Sequence, residues 1–244
     1  MNEYIKFFHL LIGFFDYFTN KRICKFFKEK LQSKKIILID VGAHKGETID
    51  LFSKNFFVEK IYSFEANPEV YEFLKKKNKE NIFTYNFGIG DIETTKDLNT
   101  VVDGQSSTFS EISNTSKYFL LKKKILLPFS KKKFSYKQSV KIQTLSKFIE
   151  EQKLTNIDIL KIDTEGYEFR VLQGIDPNHF KKIRFILFEH HYDDMINKNY
   201  KYKDISGLLR QNNFSLKFKS KMYFRKTFEY IFENAKWCVI SFQF

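Results

Sequence analysis

The hydrophobic positions of the chain form short runs separated by stretches with helical spacing. The run Ile36-Ile37-Leu38-Ile39 is continuously apolar, which is typical of a strand buried on both faces. Helical spacing follows it, and the same alternation returns several times along the chain. Alternating strands and helices predict βαβ units and an α/β fold with a mostly parallel, doubly wound sheet. The predicted strands are 36–39, 60–64, 82–87, 157–162 and 183–188, and the predicted helices between them include 69–79, 144–152 and 165–173.

Three regions depart from this alternation. Residues 1–35 carry apolar side chains at a spacing of three to four, which predicts an N-terminal helical extension to a domain formed by residues 36–244. Residues 94–141 hold a turn dipeptide, Asp103-Gly104, and two lysine triplets, and we expect an insertion made of a hairpin and a mobile loop. The tail is predicted to end the sheet on an antiparallel strand, and its elements are a helix near 205–211 and strands near 214–218 and 237–242.

The composition adds a strong positive charge. The 244 residues include 42 Lys and Arg against 29 Asp and Glu, which gives a net charge of +13. An excess of that size favours an anionic partner such as nucleic acid, phospholipid or a phosphorylated glycan. Codon bias explains it equally well, because the abundant Lys, Phe, Ile and Asn are all written with A/T-rich codons. Both explanations stay open.

Cysteine content and hydropathy bear on the compartment. Cys24 and Cys238 are the only cysteines, too few for a disulfide framework or a zinc site by themselves, and this favours a reducing compartment. No apolar stretch approaches the roughly 20 residues of a spanning helix, and the run 7–15 lacks the features of a secretory signal. We expect a cytoplasmic protein. Its N-terminal helix, rich in Phe and Lys, either packs on the domain or lies at the inner face of the membrane.

Two motifs follow predicted strands and carry candidate chemistry. Asp40-Val41-Gly42-Ala43-His44-Lys45-Gly46 comes directly after the first strand, where glycines permit a tight turn and let a helix begin close to a ligand. Its Gly-x-x-x-Gly spacing differs from the dinucleotide fingerprint, which makes a dehydrogenase the weakest alternative. Glu65 ends the second strand about 20 residues on, where an acidic side chain can accept both hydroxyl protons of a ribose.

Together with a third motif, these strings resemble one enzyme family. Asp-x-Gly-Ala-x-x-Gly followed by Phe-Glu-Ala-x-Pro resembles the S-adenosylmethionine-dependent methyltransferases of class I. The string Leu-Lys-Ile-Asp-Thr-Glu-Gly-Tyr-Glu at 160–168, completed by Val-Leu-Gln-Gly at 171–174, resembles the signature of the FkbM family of O-methyltransferases. Ser106-Ser107, Thr144-Leu145 and Leu187-Phe188-Glu189 match that family as well. The resemblance implies a Rossmann-like class I methyltransferase fold.

The resemblance also implies a cofactor site. The turn after the first strand would hold the methionine end of S-adenosylmethionine, Glu65 its ribose, and Asn67 and Ile89 the adenine. His44 departs from the glycine-rich loop of many class I enzymes, and Gly90-Asp91 only loosely resembles the usual acidic adenine contact. The implied cofactor-binding residues are Asp40, Gly42, Ala43, His44, Gly46, Glu65, Asn67 and Ile89.

Candidate catalytic residues stand at the carboxyl ends of the fourth and fifth strands, where open α/β sheets bind their ligands. A hydroxyl acceptor needs deprotonation and in-line positioning, which a carboxylate or an imidazole can supply. Strand alternation predicts that Glu189 and His191 share one face and that His190 lies on the other. Glu165 and Glu168 also fall in the first turn of a predicted helix, where the helix dipole alone favours acids. The candidates are Asp163, Glu189, Glu165, His190 and His191.

The same donors leave a divalent metal open as a second cofactor. Asp163, Glu165, Glu189 and His190 could gather around one ion through hard ligands. The residue types do not decide between such a site and a metal-free base, and the metal-free site is the favoured interpretation.

We expect an enzyme that methylates a hydroxyl, which the resemblance places on a sugar of a surface glycan or on a secondary metabolite. An RNA methyltransferase is the first alternative, because it would use the basic surface. However, amino-methylating enzymes carry (Asn/Asp)-Pro-Pro-(Tyr/Phe) where this chain has Asp163-Thr164-Glu165-Gly166. A non-catalytic binding module is the second alternative, and the intact Gly42, Gly46, Glu65 and Asp163 oppose it. The lysines of the insertion would serve peripheral contact with an anionic membrane or substrate.

Overall fold

The computed structural model describes residues 3–101, 107–112, 116, 135–192, 196–222 and 226–238. The strands are β1 (Ile36–Val41), β2 (Val58–Phe64), β3 (Ile82–Tyr85), β4 (Gly88–Gly90), β5 (Thr94–Val101), β6 (Ser107–Thr108), β7 (Glu111–Ile112), β8 (Ser135–Thr144), β9 (Ile157–Ile162), β10 (Ile183–His191), β11 (Ile196–Asn197), β12 (Phe214–Lys221) and β13 (Thr227–Asn234). The helices are α1 (Glu3–Leu31), α2 (Glu47–Asn55), α3 (Pro68–Leu74), α4 (Leu145–Glu151), α5 (Glu168–Gln173), α6 (Pro177–Phe180), α7 (Tyr202–Gln211) and α8 (Ala235–Cys238).

Seven strands form the central sheet, in the order β12-β13-β10-β9-β1-β2-β3. β3, β2, β1, β9 and β10 are parallel neighbours, whereas β13 runs antiparallel to both β10 and β12. The mostly parallel sheet with an antiparallel strand near the C-terminus is therefore confirmed. The chain order reverses between β1 and β9, and the carboxyl ends of these two strands border the crevice in which open α/β sheets bind ligands.

Each face of the sheet carries its own apolar core, because the parallel strands are buried on both sides. On one face, Phe148 of α4 and Leu209 of α7 belong to a large core that includes Tyr167. On the other face, Phe27 of α1 packs edge-on against Phe185 of β10, with ring centroids 5.5 Å apart. The second face leads to the charged residues of the candidate site.

Helix α1 runs antiparallel to the parallel strands. Arg184, near the start of β10, donates to the carbonyl oxygen of Lys30 at 3.1 Å. Arg22 donates to Oγ of Ser220, near the end of β12, at 3.0 Å. The first half of α1 therefore leads toward the carboxyl edge of the sheet. No helix in the described part of the chain is long and apolar enough to cross a membrane.

A second sheet grows from the predicted insertion. Its order is β4-β8-β5-β6, and β5 pairs antiparallel with β8 from Thr94 opposite Ile142 to Val101 opposite Ser135. The consecutive strands β5 and β6 also pair antiparallel, with Asn99 opposite Thr108 and Thr100 opposite Ser107, and this pair is the hairpin that the sequence predicts in the insertion. β7 forms a separate two-stranded ladder with β11, which joins the insertion to the segment after β10. Asp103-Gly104 and both lysine triplets lie outside the described residues.

Two predicted elements need correction. The helix expected from Glu165 begins only at Glu168, because Glu165 and Gly166 adopt left-handed backbone with φ of 51° and 92°. The strand expected at 237–242 is wrong where it is described, since Trp237 lies in α8, and residues 239–242 lie outside the described part. The last strand of the sheet is β13 instead. Two glutamates interrupt its apolar residues, so its sequence does not look like a buried strand.

Candidate active site

The turn after β1 is built from left-handed backbone. Gly42, His44 and Gly46 have φ of 84°, 47° and 94°. A Cβ at Gly42 would lie 1.8 Å from the carbonyl oxygen of Asp163, so only glycine fits between the ends of β1 and β9. Gly46 then caps α2. The turn places the start of α2 at the crevice, where a helix N-terminus favours polar or anionic ligand groups.

Glu65 ties this turn to the end of β2. Its Oε2 accepts a hydrogen bond from the backbone N–H of His44 at 2.9 Å, and its Oε1 accepts one from that of Asn67 at 2.8 Å. The side chain is buried, and burial raises the pKa of Glu65 to about 7. A carboxylate has about four acceptor positions, so two remain for the hydroxyls of a ligand.

Asn67 and Ile89 serve the fold in this structure. Asn67 caps α3, because its Oδ1 accepts from the backbone N–H of Glu69 at 2.9 Å, and its Nδ2 donates to Oγ of Ser107 at 3.1 Å. Ile89 is buried in the apolar core of the first face. The side chain of Ile89 therefore presents no surface to a ligand in this conformation.

A group of charged side chains continues the face covered by α1 toward the carboxyl edge. Asp40 is fully buried and pairs with Lys161 across the β1–β9 ladder. Nζ of Lys161 lies 3.5 Å from Oδ1 of Asp40 and 3.3 Å from Oδ2 of Asp163. Burial opposes the charge on Lys161, but the carboxylates of Asp163 and Asp40 raise its pKa. For Asp40, by contrast, burial itself raises the pKa.

His191 holds the centre of the candidate catalytic residues. Its Nε2 lies 3.1 Å from Oε1 of Glu189 and 3.3 Å from Oε2 of Glu165. Its Nδ1 lies 3.3 Å from the hydroxyl of Thr227. One donor atom each from Asp163, Glu189 and His191 lie within 4.8 Å of one another. The structure therefore brings four of the five candidates together.

His190 is the exception. It points to the opposite face of β10, where its ring contacts those of Tyr192, Tyr200 and Tyr202. Burial, followed by the charges of Lys198 and His191, lowers the pKa of His190 to about 3. The donor set considered from the sequence thus needs correction, because the histidine beside the carboxylates is His191.

The sequence did not point to Lys161, Thr227 or Glu229. Glu229 stands directly opposite Glu189 in the β10–β13 ladder and is buried. Burial, and then the charges of Glu189 and Asp163, raise the pKa of Glu229. A lysine inside the apolar run of β9 was a usable signal, whereas the residues of β13 gave none because that strand was misplaced. We call these residues the polar cluster: Asp40, Lys161, Asp163, Glu165, Glu189, His191, Thr227 and Glu229.

Residues 107–112, called the strap below, hold the turn that follows β9. The hydroxyl of Thr108 donates to the carbonyl oxygen of Glu165 at 2.7 Å, and that of Ser110 donates to the carbonyl oxygen of Gly166 at 2.8 Å. From the other side, Oε1 of Glu168 accepts from the N–H of Gly166 at 2.8 Å. These contacts fix the left-handed turn that directs Glu165 toward His191.

The arrangement can receive a polar group and take its proton. The side chains of Asp163 and Glu165 are 31% and 24% exposed, whereas those of Glu189 and His191 are only 8% and 10% exposed. A general base must reach the proton that it removes, and Glu165 and Asp163 are the carboxylates of this group that are accessible to an acceptor. The buried His191 and Glu189 lie behind them, and His191 contacts both Glu165 and Glu189.

The sheet order and the glycine turn define a Rossmann-like methyltransferase fold, and a comparison with family models agrees. Residues 40–216, well over half of the chain, match the methyltransferase FkbM domain. The chain belongs to the FkbM methyltransferase family, as its motifs predicted. A search of curated proteins finds no match.

Solved methyltransferase structures share the fold. The methyltransferase FkbM from Methylobacillus flagellatus KT is 12% identical with a TM-score of 0.51, over 82% of this chain and 43% of that one. The chain therefore spans less than half the length of that protein. Magnesium protoporphyrin IX methyltransferase (ChlM) from Synechocystis PCC 6803, solved with bound SAH, is 8% identical with a TM-score of 0.51, over 92% and 85% of the two chains. M. capricolum TrmK, solved with SAH, is 12% identical with a TM-score of 0.49, over 89% and 68%.

Proposed function

We propose that this methyltransferase transfers the methyl group of S-adenosylmethionine to a hydroxyl group. The observation that carries the proposal is the polar cluster, which offers carboxylates and an imidazole beside the glycine turn at the carboxyl edge. The cluster includes Asp163 and Glu165 of the string Asp163-Thr164-Glu165-Gly166, which lacks the prolines found in amino-methylating enzymes. Such a site fits an acceptor that must lose a proton.

The cofactor would lie across the ends of β1 and β2. The turn from Gly42 to Gly46 would receive the methionine end, since its left-handed backbone lets α2 begin at the crevice. Glu65 would accept the two ribose hydroxyls with the lone pairs that its backbone contacts leave unused. The methyl group would then face Asp163, whose backbone adjoins Gly42.

The reaction is a direct displacement. Bound S-adenosylmethionine would supply an electrophilic methyl group, and its sulfur would leave as a neutral thioether that needs no proton. Glu165 takes the hydroxyl proton, because it is the exposed carboxylate that contacts His191. The imidazole, held at Nδ1 by Thr227, fixes the position of Glu165. General bases of this kind contribute about 10²- to 10⁴-fold to a rate.

The family supports this acceptor class. FkbM-like enzymes are associated with hydroxyls of sugars in surface glycans and of secondary metabolites, and a polar, partly open cluster suits such an acceptor. An RNA acceptor is the alternative, favoured by the net charge of +13. The two acceptors are distinguishable by where the methyl group goes.

The test uses the full chain, isotope-labelled S-adenosylmethionine and a fractionated cell extract. We expect label in a glycan or small-molecule fraction, as an ether that survives mild base. Label found only in RNA or protein would contradict the proposal.

A pair of variants locates the base. Glu165→Gln should lower turnover about 100-fold or more while the affinity for S-adenosylmethionine stays unchanged. Glu150→Gln, whose exposed carboxylate lies 3.7 Å from Nε2 of His179, is the matched control and should keep full activity. Equal activity of the two variants would exclude Glu165 as the base.

A further inference from the structure

Carboxylates outnumber basic groups in the polar cluster. Within the described residues, ion pairs join Lys161 to two of these carboxylates and His191 to two others. Buried negative charge is costly unless it is compensated, so a cation bound among these carboxylates would be stabilised by them. The carboxylates concerned are Asp40, Asp163, Glu165, Glu189 and Glu229.

Three of the donor groups already have the spacing of a metal site. The donor atoms of Asp163, Glu189 and His191 lie within 4.8 Å of one another. Ligands on opposite sides of a cation with bonds of about 2.1 Å stand about 4.2 Å apart, so small side-chain movements would close this set around an ion. Thr227, at 3.3 Å from Nδ1 of His191, orients the ring as outer partners of metal-binding histidines do.

Glu229 supplies an independent observation. It is only 6% exposed, and its Oε2 is buried without a hydrogen-bond partner among the residues that the structure describes. It lies directly opposite Glu189 in an antiparallel ladder, so the two side chains share the face of the sheet on which the cluster lies. A buried carboxylate oxygen beside these donors fits the second layer of a cation site.

We propose that Asp163, Glu189 and His191 bind one divalent cation, with Glu229 behind them. Two carboxylates favour hard cations such as Mg²⁺, and one imidazole favours transition metals. Mn²⁺, which accepts both ligand types, is therefore the best match, with Mg²⁺ as the second candidate. A cation there would bind the acceptor hydroxyl and lower its pKa, leaving the proton to Glu165. This catalytic role rests on the proposed function, whereas the binding of the cation does not.

The test measures binding directly, on the full chain after removal of metal by a chelator. Mn²⁺ is titrated in without S-adenosylmethionine or acceptor, and the free ion is followed by electron paramagnetic resonance. We expect one Mn²⁺ per chain, with a dissociation constant in the micromolar range. Glu189→Gln and Asp163→Asn should each weaken binding about tenfold or more, and Glu150→Gln should leave it unchanged.

Each outcome has a definite meaning. Circular dichroism establishes whether each variant folds. If Glu189→Gln does not fold, Asp163→Asn, at the more exposed position, gives the comparison. No binding at millimolar Mn²⁺, or equal binding by wild type and both site variants, would overturn the inference. Methyl transfer by a chain that binds no Mn²⁺ would remove the metal and leave the proposed function standing. Mn²⁺ binding together with label only in RNA would support the metal site and contradict the proposed function.

Discussion

Among the described glycines, Gly42 is the one at which an added Cβ would come closest to another atom. A Cβ there would lie 1.8 Å from a backbone oxygen that follows β9, and the residue's φ of 84° is one that L side chains rarely adopt. Gly42→Ala should therefore lower the free energy of unfolding by about 2 kcal/mol or more and abolish S-adenosylmethionine binding. Thermal unfolding and titration calorimetry measure the two effects.

Gly207 offers the matched control, because a Cβ there would meet nothing within 4 Å. It lies inside α7, where alanine is favoured over glycine by about 0.5–1 kcal/mol. Gly207→Ala should stabilise the protein and leave cofactor binding intact. Equal effects of the two substitutions would contradict the account of the glycine turn.

We expect Glu65 to make S-adenosylmethionine binding depend on pH. Burial raises the pKa of Glu65 from an ordinary 4.5 to about 7, so in the unliganded protein the carboxyl is protonated below about pH 7. If the charged form accepts the ribose hydroxyls, affinity for S-adenosylmethionine should be higher at pH 8 than at pH 6. Calorimetry at the two values tests this, and Glu65→Gln should bind weakly at both. An affinity of the wild type that does not change with pH would remove Glu65 from the ribose.

At the scale of elements, the sequence predicts the strands and turns whose positions depend on local hydrophobic patterns. Continuous apolar runs mark β1 and β10, and a largely apolar run marks β9, because strands buried on both faces are predominantly apolar. The glycine turn and Glu65 stand directly after strands, so parallel topology alone brings them to one edge. β13 escapes prediction because two of its inward residues, Glu229 and Glu233, are buried acids.

The contacts between distant segments could not be predicted from the chain. Thr108 and Glu165 are far apart in sequence, and neither lies in a pattern that announces their hydrogen bond. The early start assigned to the helix after β9 has the same origin. Glu165 is an ordinary helix-forming residue by local preference, but tertiary contacts hold it in left-handed backbone.

We expect the strap to position the turn that carries Glu165, and Thr108 is the residue that tests this. Thr108→Val keeps the shape of the side chain and removes both the hydrogen bond that the hydroxyl donates to the carbonyl oxygen of Glu165 and the one that it accepts from the N–H of Ser110. We expect a loss of about 1 kcal/mol in the free energy of unfolding. We also expect turnover to fall about tenfold, with the KM for S-adenosylmethionine unchanged, because the base moves while the cofactor site does not.

Two further variants separate positioning from stability. Thr108→Ser restores the hydroxyl and should restore turnover. Thr94→Val removes an exposed hydroxyl from β5 in the same small sheet and should have no effect on the reaction. A fall in turnover that Thr108→Ser does not reverse would show that the strap does not position the turn.

At the scale of the whole molecule, several features of the chain converge on the carboxyl edge. The segment that contains both lysine triplets is joined to described residues at each end. On one side Ile112 pairs with Ile196, just after β10, and on the other Ser135 pairs with Val101. The strap, which ends at Ile112, contacts the polar cluster through the hydrogen bond from Thr108 to Glu165, and the first half of α1 leads toward the same edge. The described residues on either side of the segment that contains the lysine triplets therefore attach to elements near the proposed acceptor site.

We propose that these lysines attract an anionic or membrane-borne acceptor. Each lysine near an anionic surface contributes about 1 kcal/mol, and salt screens the attraction within about 10 Å at 0.1 M. Replacing all six triplet lysines by Gln should therefore reduce co-sedimentation with vesicles of anionic phospholipid about tenfold or more at low salt. High salt should abolish the difference between wild type and variant. The lysines are Lys122, Lys123, Lys124, Lys131, Lys132 and Lys133.

A second set of exposed lysines controls for net charge alone. These side chains lie toward the amino-terminal half of the central strands, away from the polar cluster, so replacing them removes the same charge elsewhere. The control should keep vesicle binding and turnover on a lipid-linked or phosphorylated acceptor, whereas the triplet variant should lose both. Equal vesicle binding by the two variants would show that the triplets have no role of their own. If both then bind as well as the wild type, codon bias is the better explanation for the lysines. The control lysines are Lys54, Lys60, Lys79, Lys153, Lys181 and Lys217.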